Sequence, residues 1–170
     1  MTTQLEMHPD SINQRLAKYL HEKKEIIISE WLQRVQVDTR IVSTETLNTI
    51  ALKNHLPQIF DDLTDTLRRY GSKIVADQAI DDAEDHGATR FRQGYELPEM
   101  LRELKHFRAI IIYHLQVFDD LNENDGLAAK LFVSTTIHGF IDELCIDATE
   151  EYLWSKMSLQ DQIHQGSSQW

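Results

Sequence analysis

The residues most able to do chemistry in this sequence are its eight histidines and the 28 acidic residues among which they lie. Glu103 and His106 form a Glu-x-x-His pair, the spacing with which di-iron helical bundles present a carboxylate and an imidazole on one helix face. Such a bundle requires a second pair and two further glutamates, and no second pair occurs in the sequence. The sequence therefore predicts no metal site.

Short motifs of the common catalytic classes are absent as well. The sequence has no glycine-rich phosphate loop, no Gly-x-Ser-x-Gly nucleophile turn and no His-Glu-x-x-His zinc helix. The lone cysteine, Cys145, can form no internal disulfide, and we interpret it as a small buried apolar residue. We expect no catalytic residues and no enzymatic activity in this chain.

Acidic residues dominate the charge of the chain, which is -11 at pH 7. A field of this sign repels phosphate backbones and anionic lipids, so we expect no nucleic-acid partner. We interpret the acidic pairs as solvated helix faces or ends. These pairs are Asp61-Asp62, Asp81-Asp82 and Asp119-Asp120.

No apolar run approaches the roughly 20 residues that cross a bilayer, and no secretory signal follows Met1, so we predict a cytoplasmic protein without membrane insertion.

Helical periodicity runs through most of the chain, and its few glycines and prolines fall between the periodic segments. Asp10-Ser11 provides an N-cap for a first helix, whose apolar spacing lapses at Lys23-Lys24 and indicates two consecutive helices. A later segment from Ala76 has small residues on its apolar face, which would let a neighbouring helix approach closely. After a stop at Gly94, the apolar stripe from Leu97 to Phe118 predicts the central core helix.

The last periodic segment is long for a domain of this size. A helix from about residue 125 to about residue 163 would span about 57 Å at 1.5 Å per residue. We therefore predict an all-α fold, a helical bundle with a long C-terminal helix. The single helical domain covers residues 10–163, with a flexible N-terminus at 1–9 and a linker-like tail at 164–170.

One face of this last helix has the spacing of a dimer seam. Its positions alternate steps of four and three residues, as in a heptad repeat. They are Leu127, Leu131, Ser134, His138, Ile141, Cys145, Ala148 and Tyr152. A second stripe through Ile137, Phe140 and Leu144 would face the domain's own core. We predict a homodimer from the first stripe, and the alternative is that the whole helix lies against its own core.

The stretch from Asp85 to Arg108, DHGATRFRQGYELPEMLRELKHFR, is the most distinctive part of the sequence. It resembles the His-Gly, Arg, Gly-Tyr, Leu, Arg-Glu, Arg pattern of the RsbRD N-terminal domain family, found on RsbR-type stressosome proteins and at the front of some bacterial sensor histidine kinases. The matching residues are His86, Gly87, Arg90, Gly94, Tyr95, Leu97, Leu101, Arg102, Glu103 and Arg108. The segments ISEWLQRV and HLPQIFDDL look like the family's first helices, so the resemblance covers about Ile12 to Tyr152.

This resemblance implies a globin-like fold that lacks haem, dimerises and passes a signal through its C-terminal helix to an attached output domain. The chain would be the N-terminal signal-input domain of a two-component histidine kinase or of a stressosome-type regulator. Because it stops at Trp170, it would be either a stand-alone sensor or a fragment. The alternative function is a haem-binding gas sensor with His86 as the axial ligand. The acidic residues before His86 and the family's usual lack of a cofactor stand against haem.

Overall fold

The computed structural model describes residues 11–53, 55–70 and 73–167 of the chain. All regular secondary structure within these residues is helical, which confirms the predicted all-α fold. Apart from a 3₁₀ turn at Val42–Thr46, the helices are α1 (Ile12–Val37), α2 (Thr49–Lys53), α3 (Leu56–Arg68), α4 (Lys73–Arg92), α5 (Leu97–Leu121) and α6 (Leu127–Ser167). None of these helices is long and apolar enough to cross a membrane. The predicted flexible N-terminus at 1–9 lies outside the described residues, as does the end of the predicted tail at 168–170.

Helix α1 begins with a reciprocal capping box at Ser11. The Ser11 Oγ accepts a hydrogen bond from the Gln14 amide at 3.3 Å, and Gln14 Oε1 accepts one from the Ser11 amide at 2.9 Å. The helix then continues without a break, so the interruption predicted at Lys23-Lys24 is wrong. Lys24 instead pairs with Asp61 of α3, its Nζ lying 2.7 Å from both carboxylate oxygens. The polar lapse therefore marks an ion pair between helices and not a helix boundary.

Helix α5 is the centre of the core, as its apolar stripe predicts. It contacts α1, α4 and α6. Its buried apolar side chains are Met100, Leu104, Phe107, Ile110, Ile111, Leu115 and Phe118. Trp31 of α1 is also fully buried, and its indole Nε1 donates a hydrogen bond to the Glu103 carbonyl oxygen at 3.0 Å. A capping box between Glu96 and Glu99, with Pro98 in the first turn, begins α5. The bundle is consistent with a globin-like arrangement.

Helices α4 and α6 pack against each other more extensively than any other pair of helices in the described residues. Small buried residues on α4, among them Ala83 and Gly87, make this possible, as the sequence predicts. A Cβ atom at Gly87 would lie 2.1 Å from the Ala148 carbonyl oxygen of α6, well inside van der Waals contact. The two helix backbones therefore touch at this point, and no larger residue fits there.

Helix α6 is 41 residues long, which confirms the long C-terminal helix. Ile137 and Leu144 of its second stripe are buried in the domain's own core, and Phe140 is half-buried against it. The helix continues to Ser167, so the first residues of the predicted tail, 164–167, are helical.

The predicted seam on α6 is not one continuous exposed surface. Its first half lies at or near the surface and comprises Leu127, Leu131, Ser134 and His138. Its second half lies in the core or at its edge and comprises Ile141, Cys145, Ala148 and Tyr152. A strict heptad spacing drifts by about 20° per heptad around a straight α-helix, so a stripe of this length turns from one face toward the next. The second half is therefore wrong as a surface for another chain.

Replacing Gly87 with alanine should destabilise the fold strongly. The added methyl group would push α4 away from α6, and overpacking costs about 1–3 kcal/mol even where side chains can rearrange. Because the obstacle here is backbone, we expect Gly87→Ala to lower the free energy of unfolding by about 3 kcal/mol or more. Urea denaturation followed by circular dichroism measures this change.

Gly139→Ala on α6 is the matched control. A Cβ atom at Gly139 meets nothing within 4 Å, and alanine is favoured over glycine within a helix by about 1 kcal/mol. This variant should be neutral or more stable than the wild type. Equal losses of stability in both variants would contradict the close approach at Gly87.

Candidate functional site

Four residues of the Asp85–Arg108 motif meet in the interior of the bundle. His86 and Arg90 of α4 and Glu103 of α5 have no exposed surface, and Tyr95, in the turn between these helices, is 2% exposed. Arg90 Nε donates a hydrogen bond to Glu103 Oε1 at 2.6 Å, and His86 Nε2 lies 2.8 Å from the same oxygen. We call these four residues the buried charge cluster. It joins α4 to α5 through an ion pair that water does not reach.

Arg90 uses every nitrogen of its guanidinium group inside the protein. Besides the bond from Nε to Glu103, Nη1 donates to Gln93 Oε1 at 2.6 Å. Nη1 and Nη2 also donate to the carbonyl oxygens of Ala51 and Leu52, at 3.1 Å and 2.6 Å. Arginine can make all these bonds because its planar group offers five donors. The side chain that neutralises Glu103 therefore also holds α2 against α4.

The surroundings determine the protonation states in the cluster. Burial by itself would raise the pKa of Glu103, but the Arg90 charge and the nearby His86 outweigh it, and the pKa is lowered. Burial lowers the pKa of His86 despite the opposing effect of Glu103. Burial and then the Glu103 charge raise the pKa of Tyr95, whose ring centre lies 4.8 Å from the Arg90 guanidinium carbon. At neutral pH the cluster therefore contains one carboxylate, one cation and two neutral rings.

Haem ligation by His86 does not fit this arrangement. The imidazole is enclosed in the core, neither of its nitrogens reaches solvent, and Nε2 faces Glu103. Gly87, the next residue, is pressed against the backbone of Ala148. An axial ligand needs room for a flat macrocycle at one ring nitrogen. The geometry instead supports His86 as a residue packed at a helix crossing beside a carboxylate.

Of the other motif residues, Gly87 lies at the contact between α4 and α6, and the rest lie in the turn after α4 or on α5. Gly94 has a φ of 81°, a left-handed conformation that glycine adopts without strain and that ends the helix. The carbonyl oxygen of the following residue, Tyr95, accepts a hydrogen bond from the Tyr152 hydroxyl of α6 at 2.7 Å. Arg108 forms an exposed ion pair with Asp142 of α6. The remaining motif residues, Leu97, Leu101 and Arg102, belong to α5.

The Glu-x-x-His pair is divided between two environments. Glu103 points into the core, whereas His106 is half-buried, with Nε2 2.9 Å from an Asp38 carboxylate oxygen just after α1. Arg40 and then His106 hold the pKa of Asp38 well below its usual range. Glu103 and His106 therefore do not form a common ligand site.

A cavity of about 580 Å³ lies between α3, α4 and α6. Its size is typical of small-molecule sites. The apolar part of its wall comprises Tyr70, Ala76, Ala79, Ile80, Phe132, Phe140 and Leu144. The charged residues in the wall are Glu143 and Asp147. Sequence reasoning missed this cavity because its wall comes from three helices and contains no short motif. The small residues of α4, such as Ala76 and Ala79, were the one feature of the sequence that could have indicated the cavity.

The interpretation of the acidic pairs as solvated is wrong for Asp62. This residue of α3 is 8% exposed, and its Oδ2 has no hydrogen-bond partner. Burial and then Asp82 of α4 raise its pKa to about 8, so the group keeps its proton at neutral pH.

His55, Asp82 and Asp85 each offer one ligand atom, and these atoms lie within 4.8 Å of one another. Among the described residues, this group is close enough to hold a metal ion, which the sequence analysis did not predict.

Removing the Glu103 charge should cost far more stability than removing an exposed charge. Glu103→Gln keeps the size of the side chain but leaves the Arg90 cation buried without a counter-ion. Loss of one partner of a buried ion pair costs about 3–5 kcal/mol, and chemical denaturation should show a loss of this size. Asp142→Asn, which breaks the exposed pair with Arg108, is the control and should cost less than about 1 kcal/mol. Similar losses in both variants would contradict the role of the cluster.

Comparison with known proteins agrees with the motif. The family model described as the RsbT co-antagonist protein rsbRD N-terminal domain matches residues 25–155, a span that includes the whole buried charge cluster. Neither a curated protein nor a solved structure matches the chain. The chain therefore belongs to the family of RsbRD N-terminal domains, which are non-catalytic, sensor-type domains of stressosome-type regulators.

Proposed function

We propose that this chain is the signal-input and dimerisation domain of a bacterial sensor protein, and that α6 passes the signal to an attached output domain. That output domain belongs to a stressosome-type regulator or to a two-component histidine kinase. One observation carries the proposal. The same helix, α6, lines the cavity and then continues past the core with exposed apolar side chains.

The input enters at the cavity. Its wall is largely apolar, so the ligand that fits it is a small and mostly apolar molecule. A polar or cationic group on that molecule would find its partners in Glu143 and Asp147. Such a ligand would touch α4 through Ala79 and α6 through Phe140 at the same time. A ligand shifts a conformational equilibrium only through contacts that differ between the two states, and contacts to two helices supply such a difference.

The contact between Gly87 and Ala148 gives these two helices a fixed point beyond the cavity. The two backbones are in direct contact there, with no side chain between them that could change its conformation. The helices therefore cannot move closer at this point when they are separated elsewhere. A ligand that separates α4 from α6 at the cavity would therefore tilt α6 about Ala148. The part of α6 after Ala148 would swing in the opposite direction, which is a small helix shift of the kind that signalling domains use.

A large side chain placed in the cavity should prevent ligand binding. Ala79→Trp places an indole in the cavity, whereas Gln78→Trp adds the same group at the exposed neighbouring position. The neutral dye N-phenyl-1-naphthylamine fluoresces more strongly in apolar surroundings. It should bind the wild type and Gln78→Trp alike, and Ala79→Trp at least about tenfold more weakly. Equal dye binding by all three proteins would exclude the cavity as the ligand site.

The dimer is proposed from the part of α6 that follows the core. Leu153, Trp154 and Met157 are 43%, 64% and 63% exposed, and they continue from Ile146, which is 49% exposed. Large exposed apolar side chains on one helix favour association with another surface. A second copy of the chain matches the spacing, because two identical helices side by side place each apolar residue near its own counterpart.

Two glutamates on this stripe should separate the dimer. Light scattering at tens of micromolar should give the mass of two chains for the wild type and of one chain for the Leu153→Glu, Met157→Glu double variant. Gln160→Glu with Gln162→Glu is the matched control, since it adds the same charge to α6 at two exposed positions. This control should remain dimeric. A monomeric wild type would refute the proposed dimer.

A further inference from the structure

We infer that His55, Asp62, Asp82 and Asp85 form a binding site for one divalent transition-metal cation between α3 and α4. The site lies apart from the cavity, since none of these four residues lines it. It also lies outside the buried charge cluster, although it shares α4 with that cluster.

Three of the four groups already lie at distances suited to a shared ion. His55 is the residue before the first turn of α3, while Asp82 and Asp85 are three residues apart on α4 and so share one face of it. One ligand atom from each lies within 4.8 Å of the others. Ligands at about 2.0–2.2 Å from a tetrahedral metal ion are about 3–4 Å from one another. Small side-chain movements therefore bring these three groups to coordination distance.

Asp62 is the independent indication of a ligand. It is 8% exposed, it follows His55 by two turns of α3, and its Oδ2 is buried without a hydrogen-bond partner. Its carboxyl group lies against that of Asp82, so it is next to one of the other three ligands. Buried polar atoms nearly always have a partner in native proteins. A cation at this position would take the place of the Asp62 proton and would give Oδ2 a partner.

The ligand set selects the class of cation. One imidazole with several carboxylates suits first-row divalent metals such as Zn²⁺, whereas Mg²⁺ prefers oxygen ligands and retains its water. Asp82 precedes His86 by one turn of α4. A bound Zn²⁺ would therefore fasten α3 to α4 directly beside the buried charge cluster.

Calorimetric titration of the chelator-treated full chain with ZnCl₂ tests the site. We expect one Zn²⁺ to bind with a Kd in the micromolar range or below, and MgCl₂ to give no saturating binding at the same concentrations. His55→Ala and Asp85→Ala should each weaken Zn²⁺ binding at least about tenfold. The controls His21→Ala and Asp81→Ala remove one exposed imidazole and one exposed carboxylate, and their affinity should stay within about twofold of the wild type.

A second variant and a second readout keep the test independent of folding. Asp62→Asn preserves the size of the buried side chain, so its circular dichroism should match the wild type while its Zn²⁺ affinity falls. Zn²⁺ should also raise the Tm of the wild type but not that of Asp85→Ala. The inference is overturned if the wild type binds no Zn²⁺ or if His55→Ala and Asp85→Ala bind it as tightly as the wild type. Loss of binding in His21→Ala would assign the metal to surface histidines and would overturn it as well.

Discussion

The Glu103 carboxylate lies in the interior of the bundle without contact to solvent, paired with Arg90. An isolated charge in such a place would cost several kcal/mol, so the fold has to bring a cation to it. Arg90 meets that need from α4, and its remaining donors bind the carbonyl oxygens of Ala51 and Leu52 in α2. Trp31 of α1 in turn donates to the Glu103 carbonyl oxygen of α5. The buried ion pair thus joins α2, α4 and α5, and the backbone of Glu103 joins α5 to α1.

The crossing of α4 and α6 explains why a cavity lies close to such a rigid cluster. The two backbones touch at Gly87, because this position has no side chain to separate them. Two helices that cross at an angle diverge on either side of their contact. Ala76 and Ala79 are too short to fill the widening gap toward the start of α4, and Gly139 leaves it open from α6. The same run of small residues therefore produces both the close contact and the space beside it.

Much of the fold could be predicted from the sequence, because helix ends and apolar stripes are local signals. Gly94 and the stripe of α5 located the central helix correctly. The break predicted at Lys23-Lys24 failed because a lysine that pairs with Asp61 of another helix gives the same polar signal as a helix end. The seam failed in its second half because the heptad spacing and the period of a straight helix differ.

The candidate site was less accessible to sequence reasoning. The family resemblance selected Arg90 and Glu103, but their contact depends on the turn at Gly94 between α4 and α5. The burial of Asp62 has no signal in the sequence around it, since it arises only when α4 lies across α3. The cavity likewise exists only in the assembled bundle. The contacts between helices therefore could not be predicted from the sequence.

The faces of α4 decide which helix moves in the proposed mechanism. Asp82, His86 and Arg90 stand one turn apart on one face, and Arg90 is held there by a 2.6 Å bond to Glu103 in a site without water. Moving α4 would stretch this pair where the electrostatic attraction is least screened. Helix α6 has no comparable buried ion pair in the described residues, and among its polar ties is the bond from the Tyr152 hydroxyl to the Tyr95 carbonyl oxygen. In the proposed mechanism, a ligand that widens the cavity would therefore displace α6 more readily than α4, and the signal would leave through the helix whose end extends beyond the core.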